Sequence, residues 1–206
     1  MRHTGPRNRL ARRQGIDLEL KTFGSKSQNR LARVIAVPPG QHGANTRRKI
    51  SESGRQLREK QKLRFMFGIT EKKLGSYFVV AKRFKGNTGH KLCEILEKRL
   101  DNVVYRAGFA PTRAAARQLV NHGHVLVNGK KNSIPSYNVK QDDVVAFRKA
   151  DTAKIPYIET SLDRKDYEAP FWLERKGTEV KVVAVPSAET LEKQVNLRLI
   201  IEYYSK

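Results

Sequence analysis

Thr112-Arg-Ala-Ala-Ala-Arg-Gln-Leu-Val-Asn-His-Gly-His-Val-Leu-Val-Asn-Gly-Lys-Lys131 is the stretch from which the rest of the chain can be parsed. Pro111 stops whatever precedes it, Thr112 is a good N-cap, and Arg113 to Asn121 reads as a short helix ended by Gly123. Ala115, Ala116, Leu119 and Val120 give that helix one narrow apolar face, while Arg113 and Arg117 lie one turn apart on another. Val125 and Val127 then alternate with Leu126, and Asn128-Gly129 is the strongest short-range hairpin signal. Lys130 and Lys131 follow at once. The reading is a small helix that delivers two arginines beside a hairpin whose tip carries two lysines. Arg113, Arg117 and Lys130 are expected at exposed positions of this cationic surface.

Working outward, Thr88 is predicted to cap a helix that ends at Gly108, with Leu92, Leu96, Leu100, Val103 and Ala107 as its buried stripe. Arg99 and Arg106 fall off that stripe. Lys85-Gly-Asn-Thr88 breaks the chain and is the expected domain boundary. Before it, Ser51 caps a helix to about Phe67, rich in Arg55, Arg58, Lys60, Lys62 and Arg64, with Glu59 as the acid inside it. Like charges at i and i+4 mildly destabilise an isolated helix, so a neutralising neighbour is implied. Thr70 caps another helix with the core stripe Leu74, Tyr77, Phe78 and Ala81, and its far end carries Lys82, Arg83 and Lys85.

Residues 1–49 show no sustained period, and Pro38-Pro-Gly-Gln-His-Gly43 is too irregular for a low-complexity linker. They read either as a disordered basic tail or as an extended arm that orders only against RNA, and the second is favoured. After the hairpin the pattern turns to strands at Val144 to Phe147, Phe171 to Leu173 and Val180 to Val185, with turns at Asp142-Asp143 and Pro156. Trp172 is expected to anchor a small antiparallel sheet rather than stack on a base. Ser187 opens a short helix, and Leu197 to Tyr204 is either a strand or a helical turn.

Charge says what kind of partner to expect. The 206 residues carry 42 Lys/Arg against 20 Asp/Glu, a net +22 that exceeds what solubility needs and implies a polyanion. Residues 1–90 hold 22 Lys/Arg against 5 Asp/Glu, residues 91–150 hold 11 against 5, and residues 151–206 hold 9 against 10. The first two thirds therefore meet the anion. No apolar run of about 18 residues exists to span a bilayer, and the basic N-terminus lacks the apolar stretch of a secretory signal. An organellar transit peptide is set aside because the basic character continues for 90 residues into structured motifs. Cys93 is the single cysteine, so no internal disulfide can form, which agrees with a reducing compartment. The five histidines are scattered, and no zinc, other metal or cofactor is expected.

Several ordered segments resemble the small-subunit ribosomal protein S-four family. Lys98-Arg-Leu-Asp-Asn-Val-Val-Tyr-Arg-Ala-Gly-Phe109, Ala116-Arg-Gln-Leu-Val-Asn-His-Gly-His124, Val127-Asn-Gly129 and Ile134-Pro-Ser-Tyr137 are similar to its RNA-binding module. The likeness continues in Pro38-Pro-Gly-Gln-His-Gly43, Leu57-Arg-Glu-Lys-Gln-Lys-Leu-Arg64 and Glu202-Tyr-Tyr-Ser-Lys206, and is weakest between about Ala150 and Ala188. The form resembled is bacterial, without the N-terminal cysteine cluster that binds zinc in some members. The resemblance implies an α+β protein: a mainly helical first domain into which an RNA-binding module of two helices, a β-hairpin and a small antiparallel sheet is inserted. In residue terms this gives a basic arm at 1–49, a helical domain at 50–86 with 187–206, and an inserted domain at 87–186 holding the module at about 97–160. Leu199, Ile200 and Tyr203 would then pack on the helices of residues 52–83.

It further implies a structural protein of the small ribosomal subunit that binds a helical junction of its ribosomal RNA, nucleates assembly and contributes to translational accuracy. The implied partners are that RNA, neighbouring small-subunit proteins and messenger RNA where it enters, with no membrane, in the cytoplasmic ribosome. The residues expected against RNA are Arg47, Arg48, Lys49, Arg55, Arg58, Lys60, Lys62 and Arg64, then Lys82, Arg83 and Lys85. In the module they are Arg99, Arg106, Arg113, Arg117, Gln118, His122, His124, Asn128, Lys130 and Lys131. Two other functional classes fit the sequence less well. Arg99-Leu100-Asp101 resembles the catalytic triplet of pseudouridine synthases, but it lies inside a helical pattern and no catalytic domain of sufficient size accompanies it. A DNA-binding helix-turn-helix around Gly108 to Pro111 has only two arginines on a short, alanine-rich second helix to read bases.

Overall fold

The computed structural model describes residues 5–45, 49–164 and 167–205. In chain order the elements are α1 (Arg7–Gln14), α2 (Lys26–Val34), a 3-10 turn (Gly43–Asn45), α3 (Glu52–Met66), α4 (Glu71–Lys82), α5 (Thr88–Glu97), α6 (Leu100–Arg106) and α7 (Arg113–Asn121). Then come β1 (Val125–Val127), β2 (Lys130–Lys131), β3 (Val144–Phe147), α8 (Ala150–Ala153), α9 (Pro156–Leu162), β4 (Leu173–Lys176), β5 (Glu179–Val182), α10 (Glu189–Glu192) and α11 (Leu197–Ser205). They form two compact units. One takes in the described residues up to Cys93 with those from Ala188 onward, and the other is Glu94–Ser187. The division falls inside α5, a few residues beyond the break expected at Lys85–Thr88.

The first unit is helical. Ser51 and Thr70 cap α3 and α4 as their sequences require, each accepting a hydrogen bond from the third N–H beyond it. Leu63, Met66, Leu74, Phe78 and Ala81 are buried between elements of this unit. The C-terminal ambiguity resolves as helix: α11 packs on α3 and buries Ile200, while Leu199 is half-buried. Residues 7–34 are not an extended arm. They carry α1 and α2, held by buried Leu10, Ala11, Leu18 and Leu31 and by hydrogen bonds from Arg7 to the Leu20 carbonyl and from Asn8 to the Ser27 carbonyl. These helices show no period because each hangs on one or two buried leucines among arginines.

The second unit packs helices on a five-stranded antiparallel sheet of order β2-β1-β3-β5-β4. Val127, Val145 and Val180 are register partners across β1, β3 and β5, and all three are buried. Above them lie Leu100, Val103 and Val104 of α6 with Ala116, Leu119 and Val120 of α7. Trp172 is buried in the same core just before β4, and Phe109 meets Phe147 with ring centroids 4.7 Å apart. The two later strands begin nearer Leu173 and Glu179 than expected. Pro156 is not a turn residue but the first residue of α9, where its missing N–H costs nothing.

One long helix from Thr88 to Gly108 does not exist. The chain breaks at Lys98-Arg99, where Arg99 is extended at φ −66, ψ 136. The cause is distant in sequence: Leu100 N–H donates to the Tyr137 carbonyl and Asp101 N–H to the Pro135 carbonyl, while Val139 N–H returns to Lys98. The Ile134–Tyr137 segment thus satisfies the first donors of α6, which an uninterrupted helix would have used internally. Asn87, not Thr88, caps α5, its side chain accepting from Gly89 and His90 N–H.

Candidate nucleic-acid interface

Breaking the helix at Arg99 turns that side chain inward. Its guanidinium is buried and donates through Nε and Nη2 to both oxygens of Asp101, at 3.0 and 2.6 Å. Arg117 of α7 reaches the same carboxylate at 3.2 Å. Alongside, buried Glu97 accepts from Arg106 at 2.9 and 3.2 Å and from the Asn102 amide at 2.6 Å. Asn102 in turn accepts from Arg113 Nε at 3.0 Å, and the Arg113 guanidinium lies over the Tyr105 ring at 4.4 Å. Arg113 is buried, not exposed, and Arg117 is half-buried. Two acids and four arginines therefore weld α5, α6 and α7 together. Of the arginines expected against RNA, Arg99 and Arg113 are buried and held inside the protein, where a guanidinium taken from water needs the partners that Asp101 and Asn102 supply.

The hairpin is a presentation device. Asn128 and Gly129 both have positive φ, 50 and 74, the conformation that matches strand twist in a two-residue turn. Asn128 is committed to this turn: its amide donates to Asp143 and its carbonyl oxygen accepts from Val144 N–H, both at 2.8 Å. It anchors the tip while remaining exposed. Lys130 and Lys131 are exposed and, among the described residues, have no ion pair or side-chain hydrogen bond. The Lys131 stem crosses Gly123 so closely that a Cβ there would collide with it. Gln118 on α7 and His122 at its C-cap are exposed, and His124 is half-buried with its ring 6.2 Å from that of His122.

In the first unit the expected residues divide in the same way. Lys60 is buried, bonded to Glu71 at 2.8 Å and set over the Tyr203 ring at 4.2 Å. Arg64 shares Glu71 at 3.7 Å and Lys62 pairs with Glu59, whose other oxygen accepts from Asn196 N–H ahead of α11. These are the neutralising neighbours that the charge density of α3 implied. Burial alone would raise the Glu71 carboxyl, but hydrogen bonds from Lys60 and Tyr204, with the charges of Lys60 and Arg64, hold it below its ordinary value. Burial and the bond to Glu71 push the Tyr204 phenol far up, so it stays a donor.

Arg55, Arg58, Lys82, Arg83 and Lys85 are exposed without such partners among the described residues, and Lys49 is exposed. Arg47 and Arg48 lie outside the described residues. Arg9 and Arg13 on α1 and Arg30 and Arg33 on α2, which the sequence placed only within a basic arm at 1–49, are exposed, as are Lys72 on α4 and Arg148 and Lys149 after β3, which it did not single out. The charge excess of residues 1–90 was the signal for most of them. Among the described residues no helix is long and apolar enough to cross a membrane.

Comparison with known proteins accounts for both units. The family profile described as "Ribosomal protein S4/S9 N-terminal domain" matches residues 2–97, and that described as "S4 domain" matches residues 98–145. "Small ribosomal subunit protein uS4" of Herpetosiphon aurantiacus is 46% identical over 211 residues, covering 100% of this chain and 99% of the relative. Its namesake from Brevibacillus brevis is also 46% identical, over 206 residues, with coverage of 100% and 99%. That of Methylobacillus flagellatus is 45% identical over 207 residues, covering 99% and 98%. With such identity end to end on both sides, the chain belongs to the bacterial uS4 family of small ribosomal subunit proteins.

Proposed function

We propose that this protein binds small-subunit ribosomal RNA at a helical junction, nucleates assembly there and contributes to translational accuracy. It is a ribosomal, RNA-binding protein of translation and not an enzyme. The observation that carries the junction reading is the placement, on two compact units, of cations that have no partner among the described residues: Arg55, Arg58, Lys82, Arg83 and Lys85 on one unit, Lys130 and Lys131 on the other. A-form RNA hides its major groove from side chains, so it is recognised by backbone and shape, which such frames suit. Cationic surfaces carried by each of two units can engage more than one helix, whereas a single strand would need only one such surface. Neighbouring small-subunit proteins, messenger RNA near its point of entry and a cytoplasmic setting belong to the same proposal, and family membership supports ribosomal RNA and ribosomal proteins as partners in general. Footprinting on purified small-subunit RNA tests it. Protection should fall on two or more helices that meet at one junction, and protection confined to one strand or one isolated helix would overturn the junction.

A further inference from the structure

The cations above account for phosphate affinity, but phosphates read no sequence. The loop between α2 and α3 has a different character. Pro38, Pro39 and Gly40 open it, and Gly40 sits at φ 115, a conformation that side-chain-bearing residues rarely adopt. Gly43 is buried with its N–H donating to the Gly40 carbonyl at 3.2 Å. A Cβ at Gly43 would collide with the Pro38 carbonyl oxygen. Arg12 of α1 then clamps the ring from outside, donating through Nε to the Val37 carbonyl at 2.8 Å and through Nη2 to the Pro38 carbonyl at 3.0 Å. An arginine of the basic N-terminal region is thus committed to holding the loop backbone. A connection that had only to join two helices would need none of this.

What the ring presents is Gln41 and His42, consecutive and both exposed. Gln41 has no side-chain partner among the described residues. A glutamine amide donates and accepts at once, so it adds no charge against the phosphates but can match a base edge or a ribose hydroxyl, which also both donate and accept. Fixing the backbone beforehand removes the ordering cost that otherwise weakens such contacts.

We propose that the Pro38–Gly43 loop is an RNA-contacting element of its own, in which Gln41 and His42 bind the polar edge of a nucleotide and confer preference among RNAs. This rests on the RNA-binding reading above and adds to it a source of selectivity that the lysines and arginines lack.

The test is titration of the full-length protein with small-subunit ribosomal RNA and with an unrelated structured RNA of equal length, over a salt series. Gln41→Ala should weaken binding to the ribosomal RNA about three- to tenfold, the worth of one neutral hydrogen bond, and leave the unrelated RNA unaffected. Its salt slope should equal that of the unsubstituted protein, because no charge is removed. His42→Ala should show the same selective loss, as should Gly43→Ala, with thermal melting confirming that each variant is folded. Wild-type affinity for the ribosomal RNA in both Gln41→Ala and His42→Ala would overturn the assignment, and so would an equal loss for both RNAs. If Lys130→Ala binds more weakly while these two do not, the RNA reading stands and the loop alone fails. If the unsubstituted protein prefers neither RNA, both fall.

Discussion

At the scale of single residues, an arginine in this chain says little until its partner is known. Arg113 and Lys130 both read as exposed cations on one short module, yet Arg113 is buried against Asn102 and Tyr105 while Lys130 stands on the hairpin tip. The two should therefore behave oppositely. Arg113→Ala leaves the Asn102 oxygen unsatisfied in a buried site and should destabilise the protein by about 1–3 kcal/mol. Lys130→Ala should change stability by less than about 0.5 kcal/mol, weaken RNA binding and lower the salt slope by about one. Thermal melts beside filter binding on the same two variants check this, and an early melt for Lys130→Ala with a normal one for Arg113→Ala would reverse the assignment. The inward arginines were not legible because their acids, Glu97 and Asp101, shared one imagined helix with Arg99 and Arg106. Only the break at Arg99 swings that guanidinium onto Asp101.

At the scale of elements, what the chain specifies locally could be read and what it specifies at a distance could not. Thr112 to Lys131 carries its own cap, stripe and turn, and α7 with the β1–β2 hairpin appears where those signals put it. The break before α6 depends on carbonyls of Tyr137 and Pro135, some 35 residues on, so no window around Lys98 contains it. The form of residues 197–205 is likewise decided from afar. Leu197, Ile200 and Ile201 suit strand or helix, and the helix wins because it lays Tyr203 on Lys60 and stacks Tyr204 on Phe78 at 4.8 Å. Glu71 ties this arrangement together, accepting from Lys60 and from the Tyr204 hydroxyl at 2.8 Å each. Because its carboxyl is held below the ordinary value of 4.5, the stabilisation it provides is present above that pH and is lost as pH falls through the lower, folded value. The melting temperature of the unsubstituted protein should therefore exceed that of Glu71→Gln at pH 7, and the gap should close below about pH 4.5. A gap that persists unchanged to lower pH would mean that the ionised carboxylate is not what matters there.

For the whole molecule the deciding quantity is where charge remains after internal pairing. The C-terminal quarter is nearly neutral, with 9 Lys/Arg against 10 Asp/Glu in residues 151–206, so the excess of +22 belongs to what precedes it. Within that part the acids are largely consumed by structure: Asp101, Glu97, Glu71 and Glu59 each hold a named cation. Exposed cations such as Arg55, Arg58, Lys82, Arg83, Lys130 and Lys131 have no acid beside them among the described residues, and each phosphate they neutralise releases counterions from the nucleic acid. If six to ten phosphates are contacted, raising salt from about 50 to 200 mM should weaken binding roughly a thousandfold or more. Charge alone would give duplex DNA the same dependence and a similar affinity. The cations here stand on folded frames, on helices in the first unit and on a hairpin in the second, and A-form RNA, which is recognised through backbone and shape, suits such fixed surfaces better than charge alone would require. Small-subunit RNA should consequently survive competition from an excess of duplex DNA at 200 mM salt, where the purely electrostatic share has fallen away. Equal displacement by DNA at that salt would reduce the cationic surface to an unspecific one, and a flat salt dependence would mean that these lysines and arginines do no more than keep the protein in solution.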